Sequence, residues 1–153
     1  MYGLVYIGNL DGKATAAIKA FPGKASTTIT KGDPVNLEAG YLNLAAAGES
    51  ILGAAQETVV NGSGETAEVK VIVDPMAMYI VDNDNDTTTF GVTHPGTYFD
   101  VTGTTGAVQV DTSTTSTTGG LLCLEYNPQI SPYQDDTSIG LFMIAESQLH
   151  ISD

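Results

Sequence analysis

KGDPVNLEAGYLNLAAAGESILGAAQETVVNGSGETAEVKVIVDPMAMYIV, residues 31–81, is the stretch whose reading decides the fold. It is a series of short β-prone runs cut by Gly, Pro and Asn. Gly32, Asp33 and Pro34 make a turn, after which Val35 and Leu37 fall on one face and Asn36 and Glu38 on the other. Ala39 and Gly40 turn the chain into Leu42 and Leu44, which alternate with Asn43. Gly53, Ala54 and Ala55 are small enough to let strands or sheets approach closely. Asn61-Gly62-Ser63-Gly64 is the strongest hairpin signal in the chain, because Asn-Gly tolerates the positive φ of a type I′ turn. The returning run puts Val69, Val71 and Val73 inward and Glu68, Lys70 and Asp74 outward, a period of two. Asp74-Pro75 interrupts it. Residues 76–81 are apolar on both faces, the mark of a central strand or of one covered by a neighbouring subunit.

Outward from this stretch the same pattern continues toward the C-terminus. Phe99 and Val101 alternate with Tyr98 and Asp100, a Gly-flanked turn at 103–106 leads into 107–110, and a Thr/Ser-rich loop spans 112–120. Residues 121–126 and 139–145 are two more strands, joined by a segment carrying Pro128 and Pro132. Short strands at a spacing of roughly 8–12 residues define an all-β small barrel or sandwich domain. Toward the N-terminus, residues 2–7 form a β-prone run with no obvious partner, and 13–21 is the only segment with appreciable helix propensity. Phe21-Pro22-Gly23 then breaks the chain. Residues 1–24 are therefore read as an extended N-terminal arm, with an edge strand folded back on the body as the alternative. Residues 25–153 are read as a single β-barrel-like domain.

The length, 153 residues, suits one domain with a real core. Net charge is −13 with a pI near 4.1, and such a surface repels phosphate backbones, which argues against nucleic acid as a partner. The charge is unevenly spread. Residues 1–31 hold four lysines against Asp11 alone, +3, whereas residues 32–153 hold Lys70 against seventeen acids, −16. A basic leader on an acidic body suits docking on an acidic partner surface. Cys123 is the single cysteine, so no internal disulfide forms, in keeping with folding in a reducing cytoplasm. The N-terminal residues make a poor signal peptide, and no apolar run approaches the ~18 residues of a membrane span, so no membrane association is expected.

Chemistry is sparse. Asp82, Asn83, Asp84, Asn85 and Asp86 alternate like a calcium loop, but an EF-hand needs Gly at its sixth position and Glu at its twelfth, where Thr87 and Thr93 stand. A solvated loop is the expectation, and no metal or other cofactor is assigned. His94 and His150 are far apart in sequence, in no zinc-binding spacing. Cys123 lies within an apolar run, where burial disfavours the thiolate a nucleophile needs. Asp100, Asp111 and Glu125 could form a hydrolytic carboxylate pair, but with no Trp the chain is thin in sugar platforms. No catalytic residue is assigned, and the chain is not expected to be an enzyme. What remains is surface. Tyr2, Leu4, Tyr6, Ile7, Ile18 and Phe21 supply apolar anchors on the arm, and Lys13, Lys19 and Lys24 its charge; together they are the candidate binding residues.

The succession TKGDPVNL (30–37), YLNLAAAG (41–48), ILGAAQE (51–57) and AEVKVIVDP (67–75), with YFDVTG at 98–103, resembles the head decoration (cement) proteins of tailed double-stranded DNA bacteriophages. The similarity is a pattern of strands and turns covering about residues 27–126, and it supplies no catalytic positions. It implies a virion protein, made in the host cytoplasm, that binds the outside of the expanded capsid. The implied partner is the major capsid protein, and the implied state is a homotrimer bridging neighbouring capsomers. The alternative is a carbohydrate- or receptor-binding β-module of a virion fibre or exported adhesin, working through its acidic loops.

Overall fold

The structure, a computed structural model, describes residues 2–84, 90–113, 120–133, 138–145 and 148. Among them it contains fourteen β-strands and no helix. The first five-stranded sheet has the order β1-β9-β14-β13-β10, built from Val5–Asn9, Ala77–Asp82, Ile139–Ile144, Leu121–Tyr126 and Tyr98–Phe99. The second has the order β2-β8-β6-β4-β5, built from Ile18–Pro22, Glu68–Ile72, Gly53–Ala55, Pro34–Glu38 and Tyr41–Leu44. Two ribbons complete the molecule: β3 (Thr28–Ile29) with β7 (Val59–Val60), and β11 (Val101–Thr102) with β12 (Gln109–Val110). All pairings of these strands are antiparallel.

Residues 31–81 supply most of the second sheet. Val35 pairs with Leu44 and Glu38 with Tyr41 across a two-residue turn, in which Ala39 has φ 51° and Gly40 φ 90°. This is where a turn with two positive φ angles occurs. The Asn61–Gly64 turn, expected to close a hairpin, does not: β7 before it pairs with β3, and β8 after it pairs with β2 and β6. Asn61 instead turns inward. Its amide oxygen accepts from Ala67 N at 3.1 Å, and its nitrogen donates to Lys24 O at 3.4 Å. Gly53 is a close-approach glycine, since a Cβ there would fall on the carbonyl oxygen of Ile72 in the neighbouring strand. The second sheet also curls. Gly23 bridges Leu42, and Lys24 N donates to Leu42 O at 3.0 Å, so its two outer strands meet and the sheet becomes barrel-like.

Two cores result. Val35, Leu42, Ala55, Val69 and Val71, joined by Ile29 from β3, pack on the inner side of the curled sheet. Ala54 and Ile72, from the same strands, face the first sheet and meet Ala77, Tyr79, Val81, Phe99, Leu121, Cys123 and Phe142. Phe90, Phe99 and Phe142 stack edge-on or tilted, with ring centroids 5.4–6.0 Å apart. Each large apolar side chain so buried contributes about 1.5–3 kcal/mol, which is what holds the two sheets together. The stretch 76–81, apolar on both faces, proves to be the paired strand β9, flanked by β1 and β14.

Three further readings change. Residues 13–21 form no helix; from Ile18 the chain is strand β2, laddered onto β8 from Ile18↔Ile72 to Pro22↔Glu68. A nine-residue segment has little helical stability of its own, and an available sheet edge outweighs it. The run at 2–7 finds its partner in β9, seventy residues downstream, through Val5↔Ile80 and Tyr6↔Tyr79. Residues 97–102 divide between two sheets, with β10 on β13 and β11 on β12, although Phe99 and Val101 share the core side as their alternation implies.

Candidate interaction surface

Residues 2–24 hold two strands, β1 and β2, which form one edge of each sheet. The crossover between them is held from beneath by Asp74. Its carboxylate accepts from Asn9 Nδ2 at 2.9 Å, from Met76 N at 3.0 Å and from Ala17 N at 3.4 Å. Asn9 in turn accepts from the Tyr6 hydroxyl at 3.0 Å. Partial burial by itself would raise the Asp74 carboxyl, but the Met76 N–H, the Asn9 amide, the Ala17 N–H and the Lys13 charge outweigh it and hold it below the ordinary value. Ion pairs add little to this anchoring. Lys13 meets Asp11 at 3.6 Å and Lys24 meets Glu38 at 3.5 Å, but these side chains are largely exposed, where such pairs are worth about 0–1 kcal/mol.

The candidate arm residues separate into three groups. Leu4 is 2% exposed and belongs to the core between the sheets. Tyr6, Ile7, Phe21 and Lys24 are half-buried, Tyr6 with its ring edge-on to Tyr79 at 6.2 Å and Phe21 beneath Lys19, whose Nζ lies 5.6 Å from the ring centroid. Tyr2, Lys13, Ile18 and Lys19 are exposed. Of the three, only this last group is exposed. Two residues join it that the sequence did not single out: Leu10, 57% exposed, and Met76, 41% exposed, linked by a 2.8 Å bond from Leu10 N to Met76 O. Met76 was legible in hindsight as an apolar residue directly after a Pro turn. Ile18, 56% exposed, adds a third outward apolar side chain, on β2. The carboxylates nearby are already engaged, Asp74 with the crossover and Asp11 with Lys13.

A second apolar surface lies on the side of the first sheet away from the core. One rung runs Met78–Met143–Leu122–Tyr98 and the next Val5–Ile80–Leu141. The first rung is half-buried along its length, while Ile80 and Leu141 are buried.

Elsewhere the groups that could carry chemistry, Cys123, His94 and Asp84, are engaged in structure. Cys123 is buried, its thiol pushed up to about 11 by desolvation against a weak bond to Glu125 O. His94 accepts from Gly91 N at 2.9 Å through Nδ1 and lies edge-on to Phe99. Asp84 accepts from the N–H and hydroxyl of Thr112. Among the described residues no group of three or more His, Cys, Asp or Glu is placed to hold a metal. Asn85, Asp86, most of the 112–120 loop and His150 lie outside the described residues. The chain is thus an all-β protein of two packed antiparallel sheets, with exposed apolar side chains on a basic leader and an acidic remainder. No family model matches it, and no curated protein matches its sequence.

Proposed function

We propose that the chain is a capsid decoration protein of a tailed bacteriophage, binding the outer surface of the expanded head and bridging neighbouring subunits of the major capsid protein. The observation that carries this reading is the outward side of the leader, where Leu10, Lys13, Ile18 and Lys19 are exposed with Met76 bonded beside Leu10, on a protein of net charge −13. It is a fixed surface, because the crossover that presents it is bonded to Asp74 and each of its ends is a sheet strand. Exposed apolar side chains on a leader of net charge +3 fit an acidic, partly apolar protein surface. The strand-and-turn resemblance of residues 27–126 to phage cement proteins supports the same partner. The apolar rung Met78–Met143–Leu122 is the surface through which copies meet in the proposed trimer.

The mechanism is mechanical. Packaged DNA strains the seams between capsomers, and a protein bound across a seam must lose its interface before the seam opens. Because it binds the closed shell and not the dissociated subunits, mass action stabilises the shell by an amount that grows with its concentration.

The test is co-sedimentation of the purified chain with undecorated expanded heads, together with the rupture temperature of those heads. Deleting residues 1–24 is a poor probe, since it removes Leu4 from the core and two strands from the sheets. The paired substitutions Leu10→Asp and Ile18→Asp alter exposed side chains only. Wild type is expected to sediment with the heads and raise their rupture temperature, and the double variant to melt like wild type yet stay in the supernatant. Heads that neither bind nor gain heat resistance from the wild-type chain reject the reading.

A further inference from the structure

The first sheet ends on one side in a strand that lacks the usual protection. Natural sheet edges carry charges or prolines, stay very short, or are covered. β10 is two residues long, β2 carries Lys19 and Pro22, and the outer strands of the second sheet meet at Gly23 and Leu42. β1 is five residues, VYIGN, without a charge or a proline. Beside it opens a cleft of about 440 Å³, lined by Tyr2, Leu4, Tyr6, Lys31, Ala55 and Gln56 among others. At one end Leu4 N donates to Gly32 O at 2.8 Å, which ties the start of the edge to the second sheet. Two residues on, the alternation of an extended chain turns the N–H and C=O of Tyr6 in the same direction. The register then slips between Tyr6 and Gly8, leaving Ile7 in a bulge. A ladder added here is therefore short, and recognition has to come from side chains as well.

We propose that this cleft receives an extended acidic segment of the shell subunit: its backbone pairs with Tyr6, an apolar side chain enters beside Tyr2 and Tyr6, and a neighbouring carboxylate meets Lys31. The inference rests on the decoration reading above and assigns it a second, separate contact. The charge favours this occupant. Lys31 is exposed and belongs to the +3 part of the chain, so a carboxylate on an incoming segment is drawn to it. The cleft is large enough for a bulky side chain, and short strand addition with a side-chain pocket is a recurrent way to hold an extended peptide.

The test uses the full chain and undecorated expanded heads. Lys31→Glu reverses the charge, Gln56→Trp fills the cleft, and Lys70→Glu reverses an exposed lysine on β8 as a control. The first two are expected to weaken co-sedimentation by about tenfold or more and the control by less than about twofold, with all three melting like wild type. A photo-crosslinking amino acid replacing Tyr2 is expected to capture an acidic segment of the shell subunit, located by mass spectrometry. If wild type binds and both cleft variants bind equally well, the cleft assignment falls while the decoration reading stands. Crosslinks confined to another copy of this chain also overturn the assignment. If wild type itself does not sediment with the heads, both fall together.

Discussion

Asn9 and Asp74 are sixty-five residues apart and joined by a 2.9 Å hydrogen bond from the Asn9 amide to the Asp74 carboxylate. That single carboxylate also receives Ala17 N and Met76 N, so one side chain ties the end of β1, the approach to β2 and the turn between β8 and β9. The proposed docking surface therefore depends on a residue that does not take part in docking.

The Asp74 bonds predict an acid sensitivity of known sign. The folded-state value lies below the ordinary 3.8, so the carboxylate's contribution is complete above that value and is lost as the pH falls through the depressed one. Asp74→Asn is expected to melt below wild type at neutral pH, with the two curves converging as the pH falls through the depressed value. Thermal melts across that range measure it; a difference that stays constant with pH contradicts the assignment.

Ala39 sits at φ 51° in the Ala39-Gly40 turn, a conformation that costs a residue with a Cβ about 1 kcal/mol. Ala39→Asn creates the Asn-Gly pair that such turns favour and is expected to raise stability by about 0.5–1 kcal/mol. Denaturant unfolding reads this directly. The side chain is exposed, so no change in packing competes with the effect.

Asn61-Gly62 is the sequence most prone to deamidation in the chain, yet the fold protects it. Cyclisation needs Gly62 N to attack the Asn61 side chain, and Gly62 N is bonded to Glu65 Oε2 at 3.0 Å while Asn61 is 5% exposed and bonded at both ends. Mass spectrometry after mild alkaline incubation is expected to find Asn61 intact in native protein and converted in denaturant. Asn61→Ala leaves the Ala67 N–H and the Lys24 carbonyl without these partners and is expected to cost about 1–3 kcal/mol.

The Tyr79 hydroxyl is buried with no hydrogen-bond partner among the described residues, and burial, the nearby Asp74 charge and Tyr6 all push its ionisation well above the ordinary range. Tyr79→Phe removes an unsatisfied group and keeps the ring, so stability is expected to hold or to rise by up to about 1 kcal/mol. Phe142→Ala, in the same core, is expected to cost about 3–5 kcal/mol. Equal losses from both substitutions would show that the hydroxyl is satisfied after all.

Much of this was legible in the residues. Val69 and Val71 inward with Glu68 and Lys70 outward, Phe99 and Val101 on one face, and the need for closeness at Gly53 all follow from alternation and side-chain size. The Asn61-Gly62 turn misled because a turn residue reports a bend and not what the chain does on either side of it. Leu4, among the candidate anchors, could not be told from a core residue, since apolar character is the same in both roles; only its place between the sheets separates them.

The sequence alone determined what is local: an all-β chain, where it bends, which side of most strands is apolar, and the basic leader on an acidic body. The tertiary structure decided which strands are neighbours. It placed β1 against β9, folded the leader along both sheets, brought Leu10 beside Met76, and left an edge open beside Lys31. The reason is physical. A period of two sets the face a side chain takes, but pairing is chosen among all compatible strands by contacts across long separations, and these exist only once the chain has closed on itself.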